Sequence, residues 1–321
     1  MSVIDLKSKR ITVTGGAGFL GSHLAERLLG EGHQVCGIDM FLENYPRRLK
    51  ESNLSGLTGH SRFKFVEGDL AQLDLTELVQ DVSYVFHLAG QPGVRASWGR
   101  EFDHYTHNNI LATQRLLEVC KGKGIRKFVY ASSSSVYGDT EDLPMREDSR
   151  PRPVSPYGVS KLAGEYLCYL YWQSFAAPTV SLRYFTVYGP RQRPDMFFHI
   201  FMRALCRNEE IPLYDDGTQS RDFTFCSDIV EGTLAASLYP GCGEIFNLGG
   251  GSRTSLFEAI KMVEDIVGRR ARLNKLARQQ GDVRHTEAEL ARAREQLGYS
   301  PRIALKEGLA QEWEWIKRIG K

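Results

Sequence analysis

A chain of 321 residues with 41 basic and 39 acidic side chains carries a net charge of +2, so no overall field recruits nucleic acid or an anionic membrane surface. Any anion it binds must be met by local cations. The length is enough for a large core in roughly two domains, and no apolar run approaches the ~18 to 20 residues of a membrane span. The start Met1-Ser2-Val3-Ile4-Asp5 lacks the apolar segment of a signal peptide, and the expectation is a cytoplasmic protein with no membrane and no nucleic-acid partner. The cysteines (Cys36, Cys120, Cys168, Cys206, Cys226, Cys242) are scattered without a C-x-x-C and read as reduced thiols. His104 and His107 could share a helix face, but no neighbouring Cys or carboxylate completes a metal site, and none is expected.

In chain order, Arg10 to Thr14 reads as a short buried strand followed at once by Gly15-Gly16-Ala17-Gly18-Phe19-Leu20-Gly21. Leu20, Leu24 and Leu28 then repeat at helical spacing until Gly30 and Gly32, and a second strand, Gln34 to Ile38, ends in Asp39. A glycine turn between strand and helix, with an acid closing the next strand, is a dinucleotide-binding arrangement. The glycines permit a tight turn and close backbone approach to a pyrophosphate. Asp39 can accept both hydroxyls of an adenosine ribose and would repel a 2′-phosphate, which favours NAD; Arg47 and Arg48 follow closely, so NADP is disfavoured rather than excluded.

Strands are predicted at Phe63 to Val66, Tyr84 to Leu88 and Lys127 to Ala131, with a helix over Asn108 to Cys120 between the last two. This alternation implies an α/β fold, a doubly wound parallel sheet with ligands at the carboxyl ends of its strands. The serine run 132 to 135 and Gly90-Gln91-Pro92-Gly93-Val94-Arg95 both fall at such ends. A helix from Tyr157 to about Ser174 and a strand from Thr179 to Tyr184 follow, after which the alternation loosens. The expected organisation is a cofactor domain over 1–183, with 222–248 returning to it, and a smaller substrate domain over 184–221 and 249–321. Two amphipathic helices, Glu287 to Leu297 and Leu305 to Ile319, close the chain.

Tyr157 and Lys161 lie four apart on one helix face, so an ammonium can sit one turn from a phenol. A neighbouring cation favours phenolate and draws a poor acid toward the pH at which a general base works. The pair alone also fits an ordinary surface helix, and the argument rests on its context.

The glycine turn, the serine-rich strand end and Tyr157-Gly158-Val159-Ser160-Lys161 together resemble the extended short-chain dehydrogenase/reductase family, in particular its nucleotide-sugar epimerases and dehydratases. Arg183-Tyr184-Phe185-Thr186-Val187-Tyr188-Gly189-Pro190, Arg221-Asp222-Phe223, Phe246-Asn247-Leu248-Gly249 and Gly281-Asp282-Val283-Arg284 match family stretches in order, so the resemblance covers nearly the whole chain. It implies Tyr157 as the base at a sugar 4-hydroxyl, Lys161 holding the nicotinamide ribose and lowering the phenol pKa, and Ser133 bridging the reacting oxygen. It carries over Gly15, Gly18, Phe19, Leu20, Asp39, Asp69, Leu70, Leu88, Ala89, Asn109, Tyr157 and Lys161 as NAD contacts. Arg221 and Arg284 correspond to contacts with a nucleotide diphosphate, and Tyr214 to a residue packing on uracil, although Asp215 stands where relatives tend to have Gly. Members often pair through two helices of the cofactor domain, so a homodimer is expected.

Within the family, 4,6-dehydratases carry Asp-Glu after the catalytic residue and decarboxylases of UDP-glucuronate a Glu where Ser135 stands; Ser134-Ser135 supplies no such acid. Thr186, with Gly189-Pro190-Arg191-Gln192-Arg193-Pro194-Asp195-Met196 and Pro92 to Trp98 including Arg95, looks like the UDP-glucuronate 4-epimerase branch. A uronate oxidised at C4 is a β-keto acid prone to lose carbon dioxide, and Ser134, Ser135, Thr186 and the Arg193 fork could hold its carboxylate out of that alignment. The expected substrate is therefore a UDP-sugar. UDP-glucose/UDP-galactose 4-epimerisation is the nearest alternative, decarboxylation a weaker one, and a catalytically silent NAD-binding regulator the alternative from another class.

Overall fold

The computed structural model describes residues 9–319; the reading of Met1 to Asp5 lies outside them. Seven strands form one parallel sheet: β1 (Arg10–Thr14), β2 (Gln34–Asp39), β3 (Phe63–Glu67), β4 (Tyr84–His87), β5 (Lys127–Ser133), β6 (Thr179–Tyr184) and, much later, β10 (Glu244–Leu248). Their spatial order is β3-β2-β1-β4-β5-β6-β10. The order reverses between β1 and β4, which opens a crevice at their carboxyl ends. Residues 11–14 are buried, and so are those of β4 and β6 throughout. That is why these strands read as unbroken apolar or β-branched runs: helices cover the sheet on both sides.

Helix α1 (Phe19–Gly30) buries Leu24 and Leu28 on one face of the sheet. On the other face pack α4 (Ala112–Cys120) and α5 (Pro156–Phe175), which place Leu116, Leu117, Cys168 and Tyr171 against Val85, Phe128 and Tyr130. Helix α2 (Arg47–Leu54) covers the far edge, and α3 (Phe102–Tyr105) leads into a π-helical stretch, Thr106–Leu111, before α4. The single helix expected over 108–120 is thus wide-turned in its first part.

Beyond β6 the chain builds two small sheets. β7 (Thr186–Tyr188), β9 (Ser220–Phe225) and β11 (Arg253–Ser255) make a three-stranded one in the order β11-β9-β7. β8 (Glu210–Tyr214) pairs in parallel with β12 (Arg272–Leu276). Of the segment expected to return to the large sheet, 222–248, only β10 pairs there. The 222–225 stretch belongs to β9 and bonds to β7 and β11 instead, because the side chains that receive it, Tyr188 and Phe198, lie outside the large sheet. Helices α6 (Phe197–Arg207), α7 (Cys226–Leu238) and α8 (Leu256–Val267) complete this part, and one continuous core runs from Val13 and Leu24 through Phe246 to Phe198 and Val263.

Of the closing pair, α10 (Leu305–Ile319) has the bounds read from the sequence, whereas α9 is shorter, Ala291–Leu297. Residues 287–289 stay extended because their backbone is spent on Met145: Met145 N–H donates to Glu287 and Glu289 N–H donates to Met145, at 2.7 and 2.9 Å.

Candidate active site

At the β1–β4 reversal lies a cavity of ≈ 420 Å³ lined by residues from both halves of the sheet and from the loop after β7. One end is the glycine turn. Gly15 has φ +72, and a Cβ on Gly21 would collide with the Gly15 carbonyl, so the turn and the first helical residues pack closer than any side chain permits. Asp39 lines the cavity from the end of β2, its carboxylate accepting the Ala17 and Phe41 N–H groups at 3.1 and 2.8 Å. Burial raises its pKa, with Lys50 and those two hydrogen bonds opposing. Asp39 and Ser133 stand three strand spacings apart, ~14 Å, with the glycine turn and Leu88-Ala89-Gly90 between them. An acid for a ribose at one end, a glycine floor for a pyrophosphate in the middle and the Tyr157 group at the other make a cradle of the right chemistry and span for an extended dinucleotide. Arg47, one of the two arginines that left NADP open, is forked onto Glu67 at 2.7 Å through both Nη atoms and bonded to Glu51 at 2.8 Å.

The other end is built by β5 and α5. Ser155 caps α5, accepting the Gly158 N–H at 3.1 Å, with Pro156 in the first turn, so Tyr157 sits at the very start of the helix. A Cβ on Gly164 would collide with the Tyr130 hydroxyl; its absence lets α5 lie close on β5. Lys161 Nζ donates to the Ala131 carbonyl at 2.9 Å, and the Ser133 hydroxyl, which donates to Ser135 Oγ at 3.2 Å, is close enough to Tyr157 to oppose the rise of its phenol. Ser133 also accepts the Ser135 N–H at 3.2 Å, which turns the chain so that Ser134 and Ser135 face the same cavity.

The electrostatics differ from the simple reading of the spacing. Burial pushes the Tyr157 phenol up, opposed by the Ser133 hydrogen bond and then by the Arg193 charge. Burial likewise pulls Lys161 down to about 8, with Glu165 opposing. Spacing reports that two groups are near; it does not report that both have been taken out of water, which disfavours the charged form of each.

Gly15, Gly18, Phe19, Leu20, Asp39, Asp69, Leu70, Leu88, Ala89, Ser133, Ser134, Ser135, Tyr157, Lys161, Thr186 and Arg193 all line this one cavity. Arg193 does so while forking onto Asp195 at 3.0 and 3.1 Å. Asn109 does not line it. Its amide is spent on the Gln91 backbone, at 2.6 and 3.1 Å, and on Ser160 at 2.8 Å, so it fixes the 91–94 loop, and its neighbour Asn108 faces the cavity instead. Asp69 is also engaged by His107, at 2.7 Å.

Arg95, Tyr214, Arg221 and Arg284 are brought together outside the cavity lining. The Arg95 guanidinium stacks on Tyr214, 3.9 Å from the ring centroid, and bonds Asp282 at 2.6 Å. Arg221 donates to the carbonyls of Ser220, Val283 and Arg284, while Arg284 faces Asp216 at 3.9 Å. Arg95 follows Val94, a cavity residue, so this basic cluster adjoins the mouth.

Residues not singled out from the sequence also contribute. Lys50, buried beside Asp39, donates to the Leu42 carbonyl at 2.6 Å. His87 is fully buried between Thr14 and Thr113, at 2.7 and 2.9 Å, and ties β1 to β4 at the crevice; burial, then the Lys161 charge, lowers it to about 3. Both sat in the sequence without a motif to mark them. Among the described residues, no group of three or more His, Cys, Asp and Glu side chains is placed to hold a metal ion, and no helix is long and apolar enough to cross a membrane.

Comparison with known proteins agrees with this geometry. Residues 11–249 match the model of the NAD dependent epimerase/dehydratase family. The chain is 45% identical to an uncharacterized UDP-glucose epimerase, YtcB, of Bacillus subtilis, over 97% of this chain and 98% of that one. It is 38% identical to a UDP-glucuronate 4-epimerase of Thermodesulfobacterium geofontis, over 95% of each. Among solved structures, the UDP-glucuronic acid 4-epimerase of Bacillus cereus in complex with UDP-glucuronic acid and NAD superposes with a TM-score of 0.94 at 45% identity, covering 97% of this chain and 99% of that one. With the glycine turn, the Ser133–Tyr157–Lys161 group and this likeness spanning both ends of the cavity, the chain belongs to the NAD-dependent epimerase/dehydratase family.

Proposed function

We propose that the chain interconverts UDP-glucuronate and UDP-galacturonate by transient oxidation at C4. The observation that carries this reading is that Ser133, Tyr157 and Lys161 share one cavity with Ser134, Ser135, Thr186 and Arg193, while among the described residues the carboxylates lining it, Asp39 and Asp69, close β2 and follow β3 at the opposite end. NAD, when bound, supplies the acceptor for the C4 hydride and gives it back. Tyr157 takes the 4-hydroxyl proton and returns it, Ser133 holds the same oxygen, and Lys161 orients the ribose. The hydroxyls of Ser134, Ser135 and Thr186, with Arg193, hold the substrate carboxylate so that its bond to C5 stays near the plane of the ketone, where carbon dioxide is not lost. Among the described residues no acid lines that end of the cavity to remove water or protonate a decarboxylated carbon; Asp195 is held on Arg193 outside the lining.

The basic cluster of Arg95, Arg221 and Arg284 at the mouth is suited to a nucleotide diphosphate, with Tyr214 as a platform for the base. In this reading residues 1–183 with β10 hold the cofactor, and most of the remainder holds the UDP-sugar. The exposed Val159, Tyr166, Tyr169 and Leu170 of α5 form an apolar face suited to pairing with a second copy, and a cytoplasmic location fits the free cysteines.

A second reading, UDP-glucose/UDP-galactose epimerisation, is favoured by the Arg193–Asp195 fork, which neutralises the cation meant for a carboxylate. A panel of UDP-sugars read by NMR decides between them. The expected outcome is turnover of UDP-glucuronate to UDP-galacturonate with little turnover of UDP-glucose; the reverse preference would overturn the uronate assignment.

A further inference from the structure

Three successive residues of β5 meet three residues of α5 spaced one turn apart. Ser133 shares the cavity with Tyr157, the Ala131 carbonyl accepts Lys161, and between them the Ser132 hydroxyl donates to Glu165 Oε1. Glu165 is buried and lies outside the cavity lining, so it touches neither sugar nor cofactor. Arg183 of β6, also buried, forks onto it from Nε and Nη2 at 2.9 and 2.8 Å, and Arg183 in turn stacks on Tyr137 at 4.6 Å. A buried ion pair of this kind gives little net stability against an apolar pair of the same volume. Its placement, four residues past Lys161 and tied to the residue before Ser133, suggests another use.

We propose that Glu165 is a positioning residue of the reaction: through Ser132 it fixes Ser133 against Tyr157, and its carboxylate keeps the Lys161 ammonium protonated. The titratable and charged groups around Lys161 are few. They are Tyr157 and Glu165 on α5 itself, Tyr130 on β5 with its ring centroid 5.3 Å away, the neutral His87 on β4, and Arg183 on β6, whose fork is spent on Glu165. Glu165 is the one anion among them that opposes the effect of burial on Lys161. Without it, a buried ammonium with a single carbonyl partner tends to shed its proton.

The inference rests on the assignment of Tyr157 and Lys161 to the reaction, and it is tested so that the two fail separately. Glu165→Gln alone leaves Arg183 buried and unpaired, so the companion variant is Glu165→Gln/Arg183→Met, which removes both charges at similar volume. NMR of isotopically labelled lysine reads the Lys161 titration whatever the substrate; its midpoint is expected to fall in Glu165→Gln and to return toward the wild-type value in the double variant, where the Arg183 cation is gone as well. Ser132→Ala keeps the ion pair and loses the tie: kcat is expected to drop about 10- to 100-fold with KM nearly unchanged and the Lys161 titration unmoved. An unmoved Lys161 midpoint in folded Glu165→Gln, or wild-type kcat in Ser132→Ala, would overturn the proposal and leave Glu165 a purely structural partner of Arg183. Absence of turnover by the wild-type chain on every UDP-sugar would count against the epimerase reading, while the lysine titration would still decide the electrostatic part.

Discussion

Tyr157→Phe is expected to lower UDP-sugar turnover by about 10²- to 10⁴-fold, the contribution of a positioned general base, while the protein stays folded with NAD bound. The substitution removes one oxygen. Phe retains the ring that meets Tyr105 edge-on at a centroid distance of 6.2 Å, and the glycine turn, Asp39 and Lys161 are untouched. What is lost is the oxygen that lies beside Ser133 in the cavity and takes the substrate proton. The pH dependence of the unaltered chain follows from the shifts. Burial raises the phenol, so the phenolate fraction and the rate rise with pH on the acid side. Burial lowers Lys161 to about 8, so above that pH the loss of its charge offsets the still-growing phenolate fraction and the rate levels off. In the Phe variant the acid limb should vanish along with most of the rate. Unchanged turnover in a folded variant would sink the catalytic reading and favour a silent NAD-binding protein.

Arg193→Ala carries the second large effect, and it is selective. Truncating one member of a hydrogen-bonded charge pair at a binding site costs about 2 to 4 kcal/mol, or ~30- to 1000-fold in kcat/KM. That loss is expected for UDP-glucuronate and not for UDP-glucose, whose C6 carries no charge. Arg193 is held over the cavity by its fork onto Asp195, so a uronate carboxylate has to compete for donors already in use. The variant also leaves Asp195 without its cation, which adds repulsion to the loss of attraction for an anionic substrate. Steady-state kinetics on the two sugars checks this. Equal losses on both would make Arg193 a loop-shaping residue, and unchanged uronate turnover would show that the carboxylate is held elsewhere.

How far these arguments could be made from the sequence depended on what each residue answers to. The β1–turn–α1–β2 unit was legible because its strands are buried on both faces and its glycines are demanded by backbone contacts within the unit itself. Helix α5 was legible from its cap, its proline and its spacing. By contrast β9 is set by partners far along the chain, and no local pattern distinguishes a strand of the large sheet from one of the small. Helix α2 escaped because it buries little beyond Lys50, Asn53 and Leu54 and shows no apolar stripe.

The same division holds within the site. Asp39 fell where strand periodicity put it, whereas Ser133 was picked out of the serine run by the family resemblance. Asn109, carried over by the same resemblance, supports the 91–94 loop from outside the cavity lining. The spacing of Tyr157 and Lys161 gave proximity but not their burial, which raises the phenol against the Arg193 charge and lowers the ammonium. Glu165 and Arg183 lie on different elements, and only their pairing makes either informative.

The central claim is that this cavity oxidises a uronate at C4 and returns the same hydride to the same carbon without releasing carbon dioxide. Incubation with UDP-glucuronate carrying deuterium at C4, followed by NMR, tests it most directly. The account predicts UDP-galacturonate with the deuterium still at C4; UDP-xylose, a 4-keto pentose, or UDP-galacturonate with protium at C4 would contradict it.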